Sequence, residues 1–233
     1  MSQLPFFYIP DDTSAQEITL GEDTSRHVIQ VLRMKTGEQL NLTDGKGQLI
    51  TASITFEHKK HCKVVVINRS NEPEIQPRTS IAISLLKNPS RFEWFLEKAT
   101  EIGVREIIPL ITSRTEKEKF RTDRMQTICT SAMLQSRQCW LPVLHQPSSL
   151  DQVIHQASQP LKFIAHCEDR PRGPLWQQDR SKDMLLLIGP EGDFTTAEID
   201  QAVDAGFIPV TLGNTRLRTE TAGISGALQL SLR

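Results

Sequence analysis

The chain has 233 residues, 38% hydrophobic and 24% charged, with 27 Lys plus Arg against 28 Asp plus Glu. This composition supports a buried core and excludes wholesale disorder, and the net charge of -1 excludes a surface that is basic all over, so any nucleic-acid site is a local patch. No run approaches the roughly 18 consecutive apolar residues of a membrane span, and the opening MSQLPFFYIPDD lacks a basic segment followed by a long apolar one, so a cytoplasmic protein with no signal peptide and no membrane contact is expected.

Residues 1–70 read as β-rich. Phe6 to Ile9 and Glu17 to Leu20 are short strands, and Asp23 to Leu32 reads as one helix with Val28, Val31 and Leu32 on one face. Gln39 to Thr43 leads into the turn Asp44-Gly45-Lys46-Gly47; Gln48 to Phe56 and Lys63 to Ile67 follow. Strands joined by tight turns predict a small β-barrel. Residues 71–79, with Pro73 and Pro77 and little apolar content, read as a linker.

Residues 80–233 alternate strands with helices. Ile81 to Leu86 is a near-continuous apolar strand. Arg91 to Ile102 is a helix with Phe92, Phe95, Leu96, Ala99 and Ile102 on one face and Gly103 as its cap. Glu106 to Ile111 is a strand, Thr122 to Gln138 and Leu150 to Ala157 are helices, and Leu161 to His166 and Met184 to Ile188 are strands. Thr195 and Glu198 form a capping box for a helix ending at Ala205. Ile208 to Leu212 is a strand and Glu220 to Leu232 a final helix. The pattern predicts an α/β domain with a mostly parallel sheet covered on both faces. The four cysteines, Cys62, Cys129, Cys139 and Cys167, show no C-x-x-C spacing, so no metal is expected and they read as reduced packing residues.

In such a sheet ligands sit outside the carboxyl ends of the strands. Two of those ends are unusual. Ile188-Gly189-Pro190-Glu191-Gly192-Asp193-Phe194 has glycines that allow close backbone approach and a proline that fixes a turn. Leu212-Gly213-Asn214-Thr215-Arg216-Leu217-Arg218-Thr219-Glu220-Thr221-Ala222 carries more arginines and hydroxyls than a helix start needs, although Thr219 or Thr221 would serve as an N-cap. Neither is a phosphate loop, and no G-x-G-x-x-G occurs.

GPEGDF followed by LGNTRLRTETA resembles the small-subunit rRNA uridine N3-methyltransferases (RsmE type) of the SPOUT superfamily. Arg26-His27, Val31-Leu32-Arg33, Asp44-Gly45, Lys87, Lys98-Ala99-Thr100-Glu101, Gly103-Val104, Ser113-Arg114, Gln135-Ser136 and Leu141-Pro142 extend the likeness over nearly the whole chain. Three positions depart from it. Asp193 stands where many members have a second glycine, Arg137-Gln138 where many have Gly-Arg, and Leu134 where an acidic residue is common.

The resemblance implies a PUA-like RNA-binding β-barrel followed by a SPOUT methyltransferase domain whose carboxy-terminal part forms a trefoil knot. It implies a homodimer that binds S-adenosyl-L-methionine and methylates N3 of uracil 1498 in 16S rRNA, within the assembled small ribosomal subunit. The cofactor residues it implies are Ile188, Gly189, Pro190, Glu191, Gly192, Leu212, Gly213, Leu217, Arg218, Thr219, Glu220, Thr221 and Ala222. Arg218, Arg114 and Glu220 are the catalytic candidates. Arg26, Arg33, Lys87, Arg91, Lys98, Arg114 and Arg137 are the RNA-binding candidates. His166 ends a strand near this site and reads as a packed histidine rather than a base. Between Thr112 and Arg137 six basic residues (Arg114, Lys117, Lys119, Arg121, Arg124, Arg137) face three acidic ones (Glu116, Glu118, Asp123), a local excess of three positive charges. Two other readings stand beside this one: a non-catalytic ribosome-assembly factor on the same fold, and a methyltransferase acting on a ribose 2′-hydroxyl.

Overall fold

A computed structural model describes residues 4–10, 14–116 and 119–232. Lys117 and Glu118 of the basic stretch lie outside the described residues. The chain forms two compact units, Met1–Glu74 with Met133–Leu141, and Ile75–Ala132 with Pro142–Arg233.

The first unit is a five-stranded sheet. Its strands are β1 (Phe6–Tyr8), β2 (Glu17–Thr19), β3 (Gln39–Thr43), β4 (Gln48–Phe56) and β5 (Lys63–Asn71), in the order β1-β3-β4-β5-β2. β1 pairs with β3 in parallel and the other pairings are antiparallel. Alternation along β4 and β5 sends Ile50, Ala52, Ile54, Val64 and Val66 into one core with Leu40 and Leu42. A short helix, α1 (Glu22–Arg26), continues into a π-turn at His27–Val31.

That turn corrects the expected helix face. Val28 is fully buried, but Val31 and Leu32 are exposed, because the wider turn breaks the 3.6-residue spacing that would have aligned them. The segment Met133–Leu141 is a distant part of the chain that completes this unit. Gly47 N donates to Cys139 O at 2.8 Å, and Trp140 Nε1 donates to Glu72 O at 3.0 Å. Gly47 has φ +97°, and a Cβ there would fall 2.5 Å from the Trp140 ring, so this contact requires glycine.

The second unit holds an eight-stranded sheet in which every pairing is parallel. In chain order its elements are β6 (Thr79–Ser84), α2 (Pro89–Ile102), β7 (Glu106–Ile111), α3 (Thr122–Gln135), β8 (Val143–Leu144), β9 (Ser148–Ser149), α4 (Leu150–Gln156), β10 (Leu161–Ala165), β11 (Gly173–Pro174), β12 (Met184–Ile188), α5 (Thr196–Asp204), β13 (Ile208–Thr211) and α6 (Thr219–Ser231). The lateral order is β11-β13-β10-β12-β6-β7-β8, with β9 also on β7. β6 and β12 are buried at every residue, as strands covered on both faces must be.

Local signals set the helix ends. Asn88 caps α2 by accepting from Ser90 N, and Gly103 closes it at φ 92°. Thr195 and Glu198 form both bonds of a capping box on α5. α3 stops at Gln135, short of the expected Gln138, because Arg137 turns into the left-handed region at φ 59°. α6 opens at Arg218 with no side-chain cap, so neither Thr219 nor Thr221 plays that part.

Candidate active site

Neighbouring strands β13, β10 and β12 run in parallel and end together at Thr211, Ala165 and Ile188. The backbone that leaves each strand builds one wall of a cavity of about 640 Å³. His166 and Cys167 follow β10, Gly189 to Glu191 follow β12, and Leu212 to Thr219 follow β13, with Ala222 one turn into α6. This is where open parallel sheets hold ligands.

Of the thirteen residues expected around a cofactor, ten line the cavity: Ile188, Gly189, Pro190, Glu191, Leu212, Gly213, Leu217, Arg218, Thr219 and Ala222. Gly192, Glu220 and Thr221 lie beside it without lining it. Asn214 and Arg216, inside the expected Leu212 to Ala222 segment, and His166, expected near the site as a packed histidine, also line it, as do Cys167, Arg172 and Asp193, which sequence reasoning did not assign.

Hydrogen bonds hold these walls in place. Asp193 adopts φ 64°, and its carboxylate accepts from Phe194 N at 2.8 Å and from Cys167 N at 2.7 Å, linking the loop after β12 to the one after β10. Gln229 Nε2 donates to Leu212 O at 3.1 Å, and Thr211 Oγ1 donates to Gly213 O at 2.8 Å. Glu191 Oε1 accepts from Lys87 N at 3.2 Å. Glu198 is buried among donors. Desolvation alone would raise its pKa, but the bonds from Ser113 N and from the Thr195 amide and hydroxyl together outweigh it and hold the carboxyl below its ordinary value.

The three catalytic candidates sit differently. Arg218 lines the cavity, exposed, and its guanidinium has no partner among the described residues. Arg114 donates through Nη1 to Gly192 O at 2.6 Å and to Phe194 O at 3.2 Å. Glu220 is buried, with Oε1 3.6 Å from Arg91 Nε and Oε2 without a hydrogen bond among the described residues.

Ion pairs engage most of the RNA candidates. Arg26 pairs with Glu22 at 3.0 Å, Lys87 with Glu116 at 2.7 Å, Arg91 with Glu220, and Lys98 with Glu97 and Glu101. Arg33 and Arg137 are exposed and, among the described residues, without an ion-pair partner. Arg124, from the basic stretch, is held by Glu93. No group of three or more potential metal ligands occurs among the described residues, and none of the described helices is long and apolar enough to cross a membrane.

The two units coincide with two family matches that define the class of protein: residues 73–230 match the family described as RNA methyltransferase domain, and residues 20–67 match the family described as RNA methyltransferase PUA domain. A crystal structure titled as a probable rRNA-methyltransferase of Porphyromonas gingivalis is 38% identical, with a TM-score of 0.89 over 97% of this chain and 98% of that one. The ribosomal RNA small subunit methyltransferase E of Neisseria gonorrhoeae, solved bound to S-adenosyl methionine, is 30% identical, with a TM-score of 0.86 over 97% and 95%. The enzyme of that name from Mycobacterium bovis is 30% identical over 229 residues, 93% of this chain and 87% of its own. The chain belongs to the ribosomal RNA small subunit methyltransferase E family.

Proposed function

We propose that the cavity at the ends of β10, β12 and β13 holds S-adenosyl-L-methionine and that the protein methylates N3 of a single uridine, uracil 1498 of 16S rRNA in the assembled small subunit. The observation that carries this reading is the convergence of residues from GPEG and LGNTRLRTETA, apart in sequence, on the lining of one cavity. The solved Neisseria relative holds the same donor, and the family supplies the rRNA substrate. The backbone of Ile188 to Gly192 and of Leu212 to Ala222 binds the donor, and the carboxy-terminal part is threaded as a trefoil knot.

The donor carries an activated methyl on a sulfonium, so the protein contributes placement, which is worth roughly 7–11 kcal/mol when an acceptor is held in line. Uracil N3 attacks the methyl carbon, the carbon–sulfur bond breaks to leave a thioether, and the N3 proton departs to a base or to solvent. N3 is a poor nucleophile until that proton leaves, and the base must be unstacked to reach the site. Arg218, with its free guanidinium at the cavity, stabilises the negative charge that develops on uracil. Arg114 is committed to two carbonyls and acts by holding the loop, and Glu220 orients Arg91.

RNA is gripped by phosphate contacts, with Arg33 and Arg137 the most available of the candidates. Arg26, Lys87, Arg91 and Lys98 join them by exchanging their carboxylate partners for phosphate. The protein works in the cytoplasm as a homodimer. Trp94 on α2 and Leu228 on α6, exposed on two helices that pack together, supply an apolar face for the partner copy.

Mass spectrometry of nucleosides from small-subunit RNA, with and without the protein and donor, tests the assignment. Appearance of 3-methyluridine supports it. A methyl group on ribose instead would favour the 2′-hydroxyl reading, and no methylation would favour an assembly factor.

A further inference from the structure

The tip of the β4–β5 hairpin, residues 56–62, carries three aromatic rings that stand outside the core of the first unit. Along β4 the side chains of Ile50, Ala52 and Ile54 point into that core, and strict alternation would send Phe56 after them. It does not follow. The pairing with β5 slips between Ile54 and Phe56, so that Ile54 lies opposite Val64 and Phe56 opposite Lys63. An extra residue of this kind re-aims the side chain beyond it. Ile54 is 1% exposed, and Phe56 is 51% exposed.

The ring turned outward is joined by two others. Phe56 stacks on His58 with centroids 6.0 Å apart and planes 8° from parallel, and His58 stacks on His61 at 5.4 Å and 1°. The three form one column, with the half-buried His58 in the middle and the exposed Phe56 and His61 at its ends. Each end ring therefore has one face outside the column. The middle ring is held by the backbone, because His58 Nδ1 accepts from Lys60 N and from His61 N, both at 3.2 Å. Beneath it, Cys62 N donates to Ser25 Oγ at 3.0 Å and Cys62 O accepts from Leu20 N at 2.8 Å, which ties the tip to α1. The column is preformed, so stacking on it costs little ordering entropy.

Between Phe56 and Lys63, three lysines (Lys59, Lys60, Lys63) stand against Glu57 alone. Glu57 is engaged by Thr36 N at 2.8 Å and Lys35 at 3.3 Å, Lys60 by Glu22 at 3.4 Å and Lys63 by Glu17 at 2.9 Å. Lys59 is exposed and has no ion-pair partner among the described residues. Two histidines three positions apart invite a metal ion, but His58 Nδ1 is taken by two amides and the described residues supply no third ligand. Open ring faces beside an ammonium group match a planar base on a phosphate chain.

We propose that this tip is a stacking platform for unpaired bases of the RNA substrate, with Phe56 and His61 each taking a base on the open face and Lys59 contacting the adjoining phosphate. The inference rests on the rRNA reading above and deepens it, adding a grip made of rings to one made of cations. The tip lies within residues 20–67, which match the RNA methyltransferase PUA family. Ring faces accept any unpaired base and reject a duplex, whose base faces are hidden in its own stack.

Fluorescence anisotropy with a short labelled oligouridine, and with an RNA duplex of the same length, tests it. The double variant Phe56→Leu with His61→Gln is expected to bind oligouridine about tenfold more weakly, as loss of base stacking implies, and to bind the duplex as wild type does. Phe56→Tyr with His61→Tyr keeps the rings and is expected to restore binding. Lys59→Gln is expected to reduce the salt dependence by about one phosphate contact. Equal oligouridine affinity in wild type and the double variant would overturn the platform. So would a double variant that loses only its binding to small-subunit proteins freed of RNA, which would assign the tip a protein partner. Formation of 3-methyluridine by the same wild-type sample separates the two readings. With that product present, a failed platform leaves the enzyme assignment intact; with it absent while the double variant still weakens oligouridine binding, the platform stands and the assignment falls. Should the variants not fold, photocrosslinking of 5-iodouridine RNA to the wild-type protein decides. Adducts within residues 56–61 support the platform, and adducts confined to other segments overturn it.

Discussion

The guanidinium of Arg114, just beyond the end of β7, stands 2.6 Å from the carbonyl oxygen of Gly192, in the loop that follows β12. The same nitrogen reaches Phe194 O at 3.2 Å, so one side chain grips both ends of the turn. The aliphatic stem of Arg114 also approaches the position a Gly192 side chain would take, at 3.3 Å from an added Cβ. The turn that walls the cavity is thus fastened from across the sheet.

Arg114→Ala is expected to weaken donor binding about three- to tenfold, the lower range for charge-assisted bonds because the arginine is exposed. A calorimetric titration checks this, alongside a thermal melt that is expected to change little. A loss of turnover with donor affinity unchanged would instead place the arginine on the uracil.

Glu198 links the capping box of α5 to Ser113 N at 2.8 Å. Glu198→Ala is expected to cost about 1–2 kcal/mol of stability by urea unfolding at pH 7, in line with loss of a cap and its buried bonds. The carboxyl titrates below its ordinary value in the fold. Its stabilisation is therefore complete above the unfolded carboxyl pKa and is lost as the pH falls through the lower folded one. The gap between wild type and variant should narrow steadily from pH 5 to pH 3.

Two of the departures from the family pattern fall on positive φ, Asp193 at 64° and Arg137 at 59°. A non-glycine residue in that region carries roughly 1–2 kcal/mol of strain. Asp193 offsets it by binding Phe194 N and Cys167 N; Arg137 makes no such bond with its side chain among the described residues. Arg137→Gly is expected to raise stability by about 1 kcal/mol. Asp193→Gly is expected to give no gain in stability and to weaken donor binding, since it unties two walls of the cavity. Urea unfolding of both variants checks the contrast.

Trp94 is 46% exposed and Leu228 is 45% exposed on neighbouring helices of the second unit. Trp94→Glu is expected to convert a dimer to a monomer in size-exclusion chromatography with light scattering, with the fold retained by circular dichroism. A buried charge at a dimer core is costly, whereas the same change on a free surface is nearly neutral.

What could be read in the sequence was local. The Thr195 and Glu198 box, the Gly103 end of α2 and the apolar runs of β6 and β12 depend on neighbours within a few residues, and each appears as a cap or a buried strand, whereas the start of α2 lies at Pro89 with Asn88 as its cap, before the expected Arg91. The two-residue strands β8, β9 and β11 have no period to read. Lateral order was also hidden. Nothing near Leu161 to Ala165 announces that β10 lies between β12 and β13, which is what brings His166 to the cavity. The alliance of Met133–Leu141 with the first unit was equally out of reach, because it rests on Trp140 meeting Gly47 and Glu72 from some seventy to ninety positions away.

Amide hydrogen exchange with and without S-adenosylmethionine tests the central claim most directly, since a ligand slows exchange where it binds and restrains backbone. The expected result is protection concentrated in residues 188–194 and 212–222, with a third protected stretch at 166–167. Protection confined to other segments, with these three unchanged at saturating ligand, would contradict the account.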